Sequence, residues 1–163
     1  MFIPNLIRSF LVLVFVSLST LLLSAQSLTT NEMSFRSQYP SDARGDMRAV
    51  HVAQTLVGNY GFISAERSGV LVVDISDPWL PKMCTTINTP GRAYNCCVSA
   101  PYLFIADGAH GLQISCITNI AFPVKVGEYP ARVFTSAVAV KEGIAYLTDT
   151  SFGLVALDVK DAS

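Results

Sequence analysis

The fold of this chain is decided by the stretch GVLVVDISDP at residues 69–78. Related stretches follow as GLQISCITN at residues 111–119 and GLVALDVKD at residues 153–161. Their leading glycines, Gly69, Gly111 and Gly153, are spaced 42 residues apart in both intervals. Repeats of roughly 40 to 50 residues built from short apolar strands are typical of β-propeller blades, each of which is a four-stranded antiparallel sheet. The spacing therefore predicts an all-β fold made of propeller blades.

The glycine-led stretch is predicted to be the third strand of each repeat, and in the first repeat it is apolar on both faces. Val70 and Val72 are expected to point to one side, whereas Leu71, Val73 and Ile75 point to the other. A strand with one solvent-exposed face would alternate apolar and polar residues. This strand is therefore predicted to be buried on both faces, as in a sheet stacked between two others.

The remaining strands occupy matching places in the repeats. First strands are predicted near residues 50–57, 94–98 and 136–140, second strands at 60–64, 102–106 and 144–148, and last strands at 82–87 and 124–129. The second strands share an aromatic residue at one repeat position, occupied by Phe62, Phe104 and Tyr146. Rings that recur in this way predict packing between sheets rather than a ligand cage.

The repeat boundaries follow from this alignment. We assign blade 1 to residues 47–90, blade 2 to residues 91–132 and an incomplete blade 3 to residues 133–163. A closed propeller has about 4 to 8 blades, so three blades form a partial propeller. We therefore expect a fragment of a longer protein. The alternative is assembly from several chains, for example two chains that complete one ring.

The residues from Gly69 to Lys82, preceded by Gly58-Asn59-Tyr60, resemble the LVIVD repeat. This is a family of predicted β-propeller repeats in bacterial and archaeal cell-surface or secreted proteins. The resemblance extends from about residue 47 to the end of the chain, and the first copy is the best match. It implies an exported scaffold for binding or interaction, with an unknown protein or carbohydrate at the cell surface as partner, together with further blades of the same protein or a second copy.

One polar position of the repeat varies between copies. Asp74 and Asp158 are equivalent, but the second repeat has Cys116 at this place. A function shared by all blades is therefore not expected at this position. We predict that these aspartates, like Asp77 and Asp161, stabilise the turns that follow them.

Residues 1–25 are predicted to be a signal peptide, and residues 26–46 a polar linker. The basic Arg8 is followed by an apolar run from Phe10 to Leu23 and then by Ser24-Ala25, which is the pattern of a cleavable leader. The alternative for the leader is an uncleaved anchor, although its run is shorter than the roughly 20 apolar residues that cross a bilayer. The alternative for the linker is a strand added to the last blade of a closed ring. An extracellular, cell-surface or periplasmic location is expected.

Composition and motifs disfavour several classes of function. The net charge is −1, and the lysines and arginines form no block, so no nucleic acid partner is expected. The sequence contains no Gly-x-Ser-x-Gly elbow, no phosphate-binding glycine loop and no His-Glu-x-x-His motif. We therefore expect no catalysis by this segment. The alternatives are a propeller-type hydrolase or oxidoreductase whose site lies in other blades, and a structural protein anchored by a sorting segment.

No cofactor and no metal site are expected. The two histidines, His51 and His110, fall on different elements, and no metal-ligand spacing links them to the four cysteines. Strand positions place Cys116 about 9 to 10 Å from Cys96 and Cys97, farther than the ~7 Å that a disulfide allows. Cys84 is on the outer strand of the first repeat, and a bond between the adjacent Cys96 and Cys97 is the strained alternative. Buried free thiols are therefore predicted at Cys84, Cys96, Cys97 and Cys116.

Three residues are candidates for a functional role on the rim of the ring. Asp107 and His110 belong to the turn between the second and third strands of the second repeat, and Asp149 occupies the place of Asp107 in the third. Aspartate followed by glycine is strong turn chemistry, so the first interpretation of this turn is structural. If a function exists here, these three side chains are expected to line one rim.

Overall fold

The computed structural model describes residues 46–130 and 134–160. Within these ranges the chain forms strands, turns and loops and no helix, so it has no helix long and apolar enough to cross a membrane. The strands are β1 (Ala49–Thr55), β2 (Gly58–Ser64), β3 (Val70–Asp74), β4 (Lys82–Ile87), β5 (Asn95–Ser99), β6 (Tyr102–Ala106), β7 (Leu112–Cys116), β8 (Val124–Tyr129), β9 (Thr135–Lys141), β10 (Ile144–Asp149) and β11 (Gly153–Asp158). The predicted signal peptide, and the predicted linker except for Asp46, lie outside the described residues.

The strands form three antiparallel sheets in sequence order. Sheet 1 contains β1 to β4, sheet 2 contains β5 to β8, and sheet 3 contains β9 to β11. The first strands of the sheets are neighbours, because β5 contacts both β1 and β9. This arrangement confirms the all-β prediction and is a propeller-like repeat fold. The first predicted strand is too long, since Leu56 and Val57 form the turn into β2. Tyr94 and Ile75 were also predicted in strands, but they lie just outside β5 and β3.

Sheets 1 and 2 enclose the first apolar core. The side chains that sheet 1 contributes include Phe62, Val70 and Val72. Sheet 2 meets them with Cys96, Leu103 and Ile105. All four residues from Val70 to Val73 are buried, which confirms that β3 has no solvent-exposed face. Each such aliphatic or aromatic side chain contributes roughly 1.5 to 3 kcal/mol when it is fully buried.

A second core of the same design lies between sheets 2 and 3. Sheet 2 contributes Phe104, Leu112 and Ile114, and sheet 3 contributes Val138, Ala145 and Leu147. Asn95 adds a polar contact between these sheets, since its Oδ1 accepts a hydrogen bond from the amide of Val138 at 3.2 Å. Each sheet therefore covers one face of the sheet before it.

The recurring aromatic position shows where this stacking ends. Phe62 and Phe104 are 0% and 2% exposed, which confirms that these rings pack between sheets. Tyr146 is 39% exposed, so the same prediction is wrong for the third repeat. Its face of sheet 3 is not covered by another sheet of the described chain. Leu154 lies beside it on this face and is 68% exposed.

Sheet 1 has a matching open face at the other end of the array. Val50 and Val52 on β1 are exposed by 66% and 61%. In the strand pairing, Val50 occupies the place that Cys96 has in sheet 2 and Val138 in sheet 3, and both of these are buried. An apolar surface of the blade-to-blade type is therefore exposed at each end of the described array.

Aspartates after the third strands close the following turns, as predicted. Oδ1 of Asp74 accepts a hydrogen bond from the amide of Ser76 at 2.8 Å. Oδ1 of Asp158 accepts one from the amide of Lys160 at 3.1 Å. The Ser76 amide also lowers the pKa of Asp74. Oδ1 of Asp77 accepts a hydrogen bond from the amide of Trp79 at 2.9 Å. Asp161 lies outside the described residues.

All four cysteines are free thiols in the structure. Cys96 lies in the core between sheets 1 and 2, and burial raises its pKa to about 11. The prediction of buried thiols is wrong for Cys84, which is exposed because β4 is the outer strand of sheet 1. Cys97 and Cys116 are half-buried.

Candidate functional site

A cleft with a volume of about 410 Å³ opens where the β2–β3 turn, the β6–β7 turn and the connections that lead into β5 and β9 meet. We refer to it as the rim cleft. Its basic side chains are Arg67, Arg92 and His110, and its aromatic side chains are Tyr94 and Phe134. The remaining lining is small or apolar and consists of Pro90, Gly91, Gly108 and Ala109.

Backbone bridges between the sheets position the walls of the rim cleft. Glu66 and Ala93 exchange two hydrogen bonds, at 3.1 and 3.0 Å, and this joins the turn of sheet 1 to the connection that enters sheet 2. Gly108 and Thr135 repeat the pattern one repeat later, at 3.1 and 2.9 Å. Arg67 follows Glu66 in the chain, and Arg92 precedes Ala93. The first bridge therefore holds the backbone on which each arginine lies.

A buried carboxylate lies behind the floor of the rim cleft. Asp107 is fully buried, and its Oδ2 accepts a hydrogen bond from the amide of Gly91 at 2.8 Å. A Cβ atom at Gly91 would come within 2.4 Å of the carbonyl oxygen of Asp107 and 2.7 Å of Nδ1 of His110. The close approach of these chain segments therefore requires glycine at this position.

Glu66 organises the arginines beside the rim cleft. This residue is 7% exposed, and its carboxylate pairs with Nε and Nη2 of Arg48 through Oε1. Nη1 of Arg92 lies farther away, 3.8 Å from Oε2 of Glu66. This distance is that of an ion pair and is too long for a hydrogen bond.

Two aromatic rings form the apolar wall. Tyr94 and Phe134 meet edge to face, with ring centroids 4.9 Å apart and an interplanar angle of 64°. The guanidinium of Arg48 lies 5.8 Å from the centre of the Tyr94 ring, within the range of a cation–π contact. Both rings also lie close to Gly108, where a Cβ atom would be 3.1 Å from Tyr94 and 3.2 Å from Phe134.

The repeat sequence of this region agrees with a known family. The family model of the LVIVD repeat matches residues 48–89, 90–130 and 134–163, which together are more than half of the chain. The chain belongs to the LVIVD repeat family. No curated protein and no solved structure matches the chain. The resemblance predicted from the first repeat is therefore confirmed, and the family match indicates a propeller-like repeat domain.

The LVIVD repeats bring two of the three predicted rim residues together. Asp107 and His110 share one turn, closed by a hydrogen bond of 3.1 Å from the His110 amide to the Asp107 carbonyl. His110 lines the rim cleft, whereas the carboxylate of Asp107 is buried behind it. A functional role for either residue stays a prediction.

Asp149 belongs to a different depression of the LVIVD array. A cavity of about 390 Å³ is lined there by Asp149 together with Tyr129, Phe152 and Leu154. Oδ1 of Asp149 accepts hydrogen bonds from the amides of Ser151 and Phe152, at 2.8 and 3.1 Å. These bonds close the turn between β10 and β11, as the structural interpretation predicts.

The basic and aromatic residues of the rim cleft other than His110 were not predicted as site residues from the sequence, namely Arg67, Arg92, Tyr94 and Phe134. A signal was present, because the rim cleft lies where the LVIVD repeats differ from one another. One repeat after Arg67 the chain has Ala109, and one repeat after Arg92 it has Phe134. Arg67 lies near Gly69 and Arg92 follows Gly91, in a chain of which only 14% of the residues are charged. Basic residues so close to glycines are the signal by which these positions could have been found. Their convergence depends on how the sheets stack.

Within residues 46–130 and 134–160, no three His, Cys, Asp or Glu side chains are grouped so that they could hold a metal ion. The rim cleft instead presents hydrogen-bond donors and aromatic surface. Guanidinium groups donate in a planar fork, and aromatic rings offer a face and an edge for stacking. This combination suits recognition of a ligand.

The carboxyl of Asp107 gives the LVIVD fold a pH-dependent contribution to stability. Burial raises its pKa above the usual value of 3.8, against the opposing effects of the Gly91 amide, His110 and Lys125. The Thr89 hydroxyl also lowers this pKa, although among the described residues neither its oxygen nor Oδ1 of Asp107 completes a hydrogen bond. The folded chain therefore holds this proton more tightly than the unfolded chain does.

We expect the wild type to gain stability relative to Asp107→Asn as the pH falls from neutral through the folded pKa. The gain is complete below the unfolded pKa and is lost again as the pH rises, because burial then opposes the charged form. Asparagine keeps an acceptor for the Gly91 amide but does not titrate. Urea unfolding of both proteins over a pH series measures the difference, and parallel curves would contradict the assignment.

Proposed function

We propose that this chain is part of an exported β-propeller that acts as a non-catalytic binding scaffold in the secreted, cell-surface or periplasmic space. The observation that carries the proposal is the rim cleft, a concave site built from turns and connections of the repeats that combines basic donors with an aromatic wall. Clefts of this kind, with few polar groups in an apolar lining, are the usual form of ligand sites. The LVIVD family match supports the propeller part of the proposal.

Binding is favoured over catalysis by the state of the acidic groups around the rim cleft. Glu66 is engaged by Arg48, and Asp107 is buried and bonded to the Gly91 amide. General acid–base chemistry needs a titratable group within reach of the reacting atoms, and neither carboxylate lines the cleft. His110 is the one imidazole of the described lining, and no serine, threonine or cysteine lies in that lining beside it.

Export rests on the sequence of residues 1–25, whose basic start, apolar run and small residues at positions 24 and 25 match a secretory leader. Few charges and many β-branched and aromatic residues in the repeats are compatible with a stable exported β-domain. A surface location also agrees with the family resemblance noted for the first repeat.

The open faces of sheets 1 and 3 define a second kind of partner. Val50 and Val52 at one end, and Tyr146 and Leu154 at the other, occupy positions that are covered where two sheets meet. We propose that these faces are covered by further blades, from the same protein or from a second copy. Sedimentation at increasing protein concentration tests whether a second copy is the occupant.

The binding role is tested by blocking the rim cleft. Ala109 is exposed and lines it, so we expect Ala109→Trp to fill the opening and to abolish binding of any ligand that enters there. Ser151 is the exposed residue one repeat later, outside the described lining, and Ser151→Trp is the matched control. Binding to immobilised peptide and oligosaccharide arrays measures the effect. Equal loss in both variants, or equal retention, would reject the cleft as the binding site.

A further inference from the structure

We propose that the rim cleft binds an acidic peptide segment, whose aspartate or glutamate carboxylate is held by Arg67 and Arg92 and whose apolar neighbour packs on the aromatic wall. This inference rests on the proposed binding function and names the chemistry of its ligand. It follows from the balance of charge in the cleft, from the donors that remain unused, and from the kinds of polar group that the lining lacks.

The basic side chains of the cleft have donors to spare. Arg67 is exposed and makes no ion pair with the described residues. Among the described residues, the one ion pair of Arg92 is with Glu66 at 3.8 Å, and that carboxylate is already engaged by Arg48. Each guanidinium carries five N–H donors in a fork that matches the two oxygens of a carboxylate. Two such groups in one cleft suit a single bidentate anion or two neighbouring acidic groups.

No carboxylate of the described lining neutralises these charges. Glu66 is 7% exposed and lies behind the wall, and Asp107 is fully buried beneath the floor. Neither residue is among those that line the cleft. The lining of the rim cleft carries two arginines and one histidine, whereas the neighbouring carboxylates of Glu66 and Asp107 are buried outside the lining. The rim cleft therefore attracts an anion.

The neutral part of the lining favours a peptide over an acidic sugar. A sugar ring presents many hydroxyl groups whose hydrogens need acceptors, yet the described lining has no carboxylate or carboxamide side chain. Tyr94 and Phe134 instead offer an apolar wall that suits an aliphatic or aromatic side chain. A volume of about 410 Å³ is near the lower end of ligand pockets, which suits one or two side chains.

The test uses the purified chain and a rhodamine-labelled peptide, Gly-Glu-Phe-Glu-Gly, followed by fluorescence anisotropy. A second peptide has glutamine in place of each glutamate. We expect the acidic peptide to bind at least tenfold more tightly than the neutral one. Arg67→Gln and Arg92→Gln are each expected to weaken binding by about tenfold, which is typical for the loss of a charge-assisted hydrogen bond.

Lys141→Gln is the matched control, since it removes the same charge from an exposed side chain at the far end of β9 from the cleft. It should leave the affinity unchanged. Circular dichroism and thermal melting check that each variant is folded. If the Arg92→Gln variant does not fold because the contact with Glu66 is lost, the Arg67→Gln variant still tests the proposal. Arg67 makes no ion pair with the described residues.

The outcomes separate this inference from the proposed function. Equal affinity for the acidic and neutral peptides, with both blocked by Ala109→Trp, would reject the carboxylate and keep the binding role. Binding of oligogalacturonate, but not of the acidic peptide, would identify an acidic sugar and overturn the proposal. If no peptide or sugar binds at millimolar concentration, the proposed function fails together with the inference.

Discussion

Replacing Phe104 with alanine is expected to lower the free energy of unfolding by about 3 to 5 kcal/mol, the range found for large aromatic truncations in protein cores. The ring lies on β6 in the core between sheets 2 and 3, where it packs with Leu112, Ile114 and Leu147. It also meets Tyr102 edge to face, with ring centroids 6.5 Å apart. Both the lost burial and the cavity left between the two sheets contribute to this loss.

The repeat provides a matched control for this substitution. Tyr146 has the same position in the next repeat, but its ring is 39% exposed on the open face of sheet 3. We expect Tyr146→Ala to change the free energy of unfolding by less than about 1 kcal/mol. Chemical denaturation of both variants measures the contrast.

The protein concentration makes this comparison more informative. If a second copy covers sheet 3, the loss caused by Tyr146→Ala should grow with concentration, since association stabilises the folded state by mass action. A loss as large as that of Phe104→Ala at every concentration would mean that other residues of the same chain cover the ring. A small loss for Phe104→Ala would contradict the stacking of sheets 2 and 3.

Replacing Gly69 with alanine is expected to lower the free energy of unfolding by about 3 kcal/mol or more, and alanine here can prevent sheet 1 from forming. Gly69 has a φ of +73°, which costs a residue with a side chain about 1 to 2 kcal/mol. A Cβ atom would also lie 2.1 Å from the carbonyl oxygen of Ile87. This neighbour is backbone at the end of β4, so relief requires that β3 and β4 separate.

Gly153 separates these two causes. It occupies the same repeat position and has a φ of +72°, yet a Cβ atom added there would meet no atom of the described chain within 4 Å. Gly153→Ala should therefore show only the conformational cost, about 1 to 2 kcal/mol. Thermal and urea unfolding of both variants give the difference. Equal losses would show that the end of β4 moves away from Gly69 without cost.

Much of the fold could be predicted because strand formation follows from local pattern. The apolar run from Val70 to Val73 and the spacing of the glycines can both be read directly from the sequence. They placed every strand of sheets 1 and 2 within a few residues of its observed position. Where the prediction of strand length was wrong, at Leu56 and Val57, apolar side chains occupy an exposed turn that hydrophobic pattern alone does not distinguish from a strand.

The candidate site was predicted only in part. Asp107 and His110 were singled out because their turn is readable as turn chemistry. Arg67 and Arg92 come from separate segments and meet only when the bridge between Glu66 and Ala93 joins sheet 1 to the start of sheet 2. Asp149, although equivalent to Asp107 in the repeat, lies apart from the rim cleft and lines a separate cavity together with Phe152 and Leu154.

The sequence by itself determined the all-β character, the repeat and the position of its strands, since a period of 42 residues and short apolar runs bounded by turn residues indicate where each strand lies. Burial was decided only by the tertiary structure. Val70, Leu112 and Leu154 are equivalent in the repeat, yet the first two are fully buried and the third is 68% exposed. The physical reason is that burial is a property of the neighbouring sheet, and the same stacking brings the separate arginines of the rim cleft together.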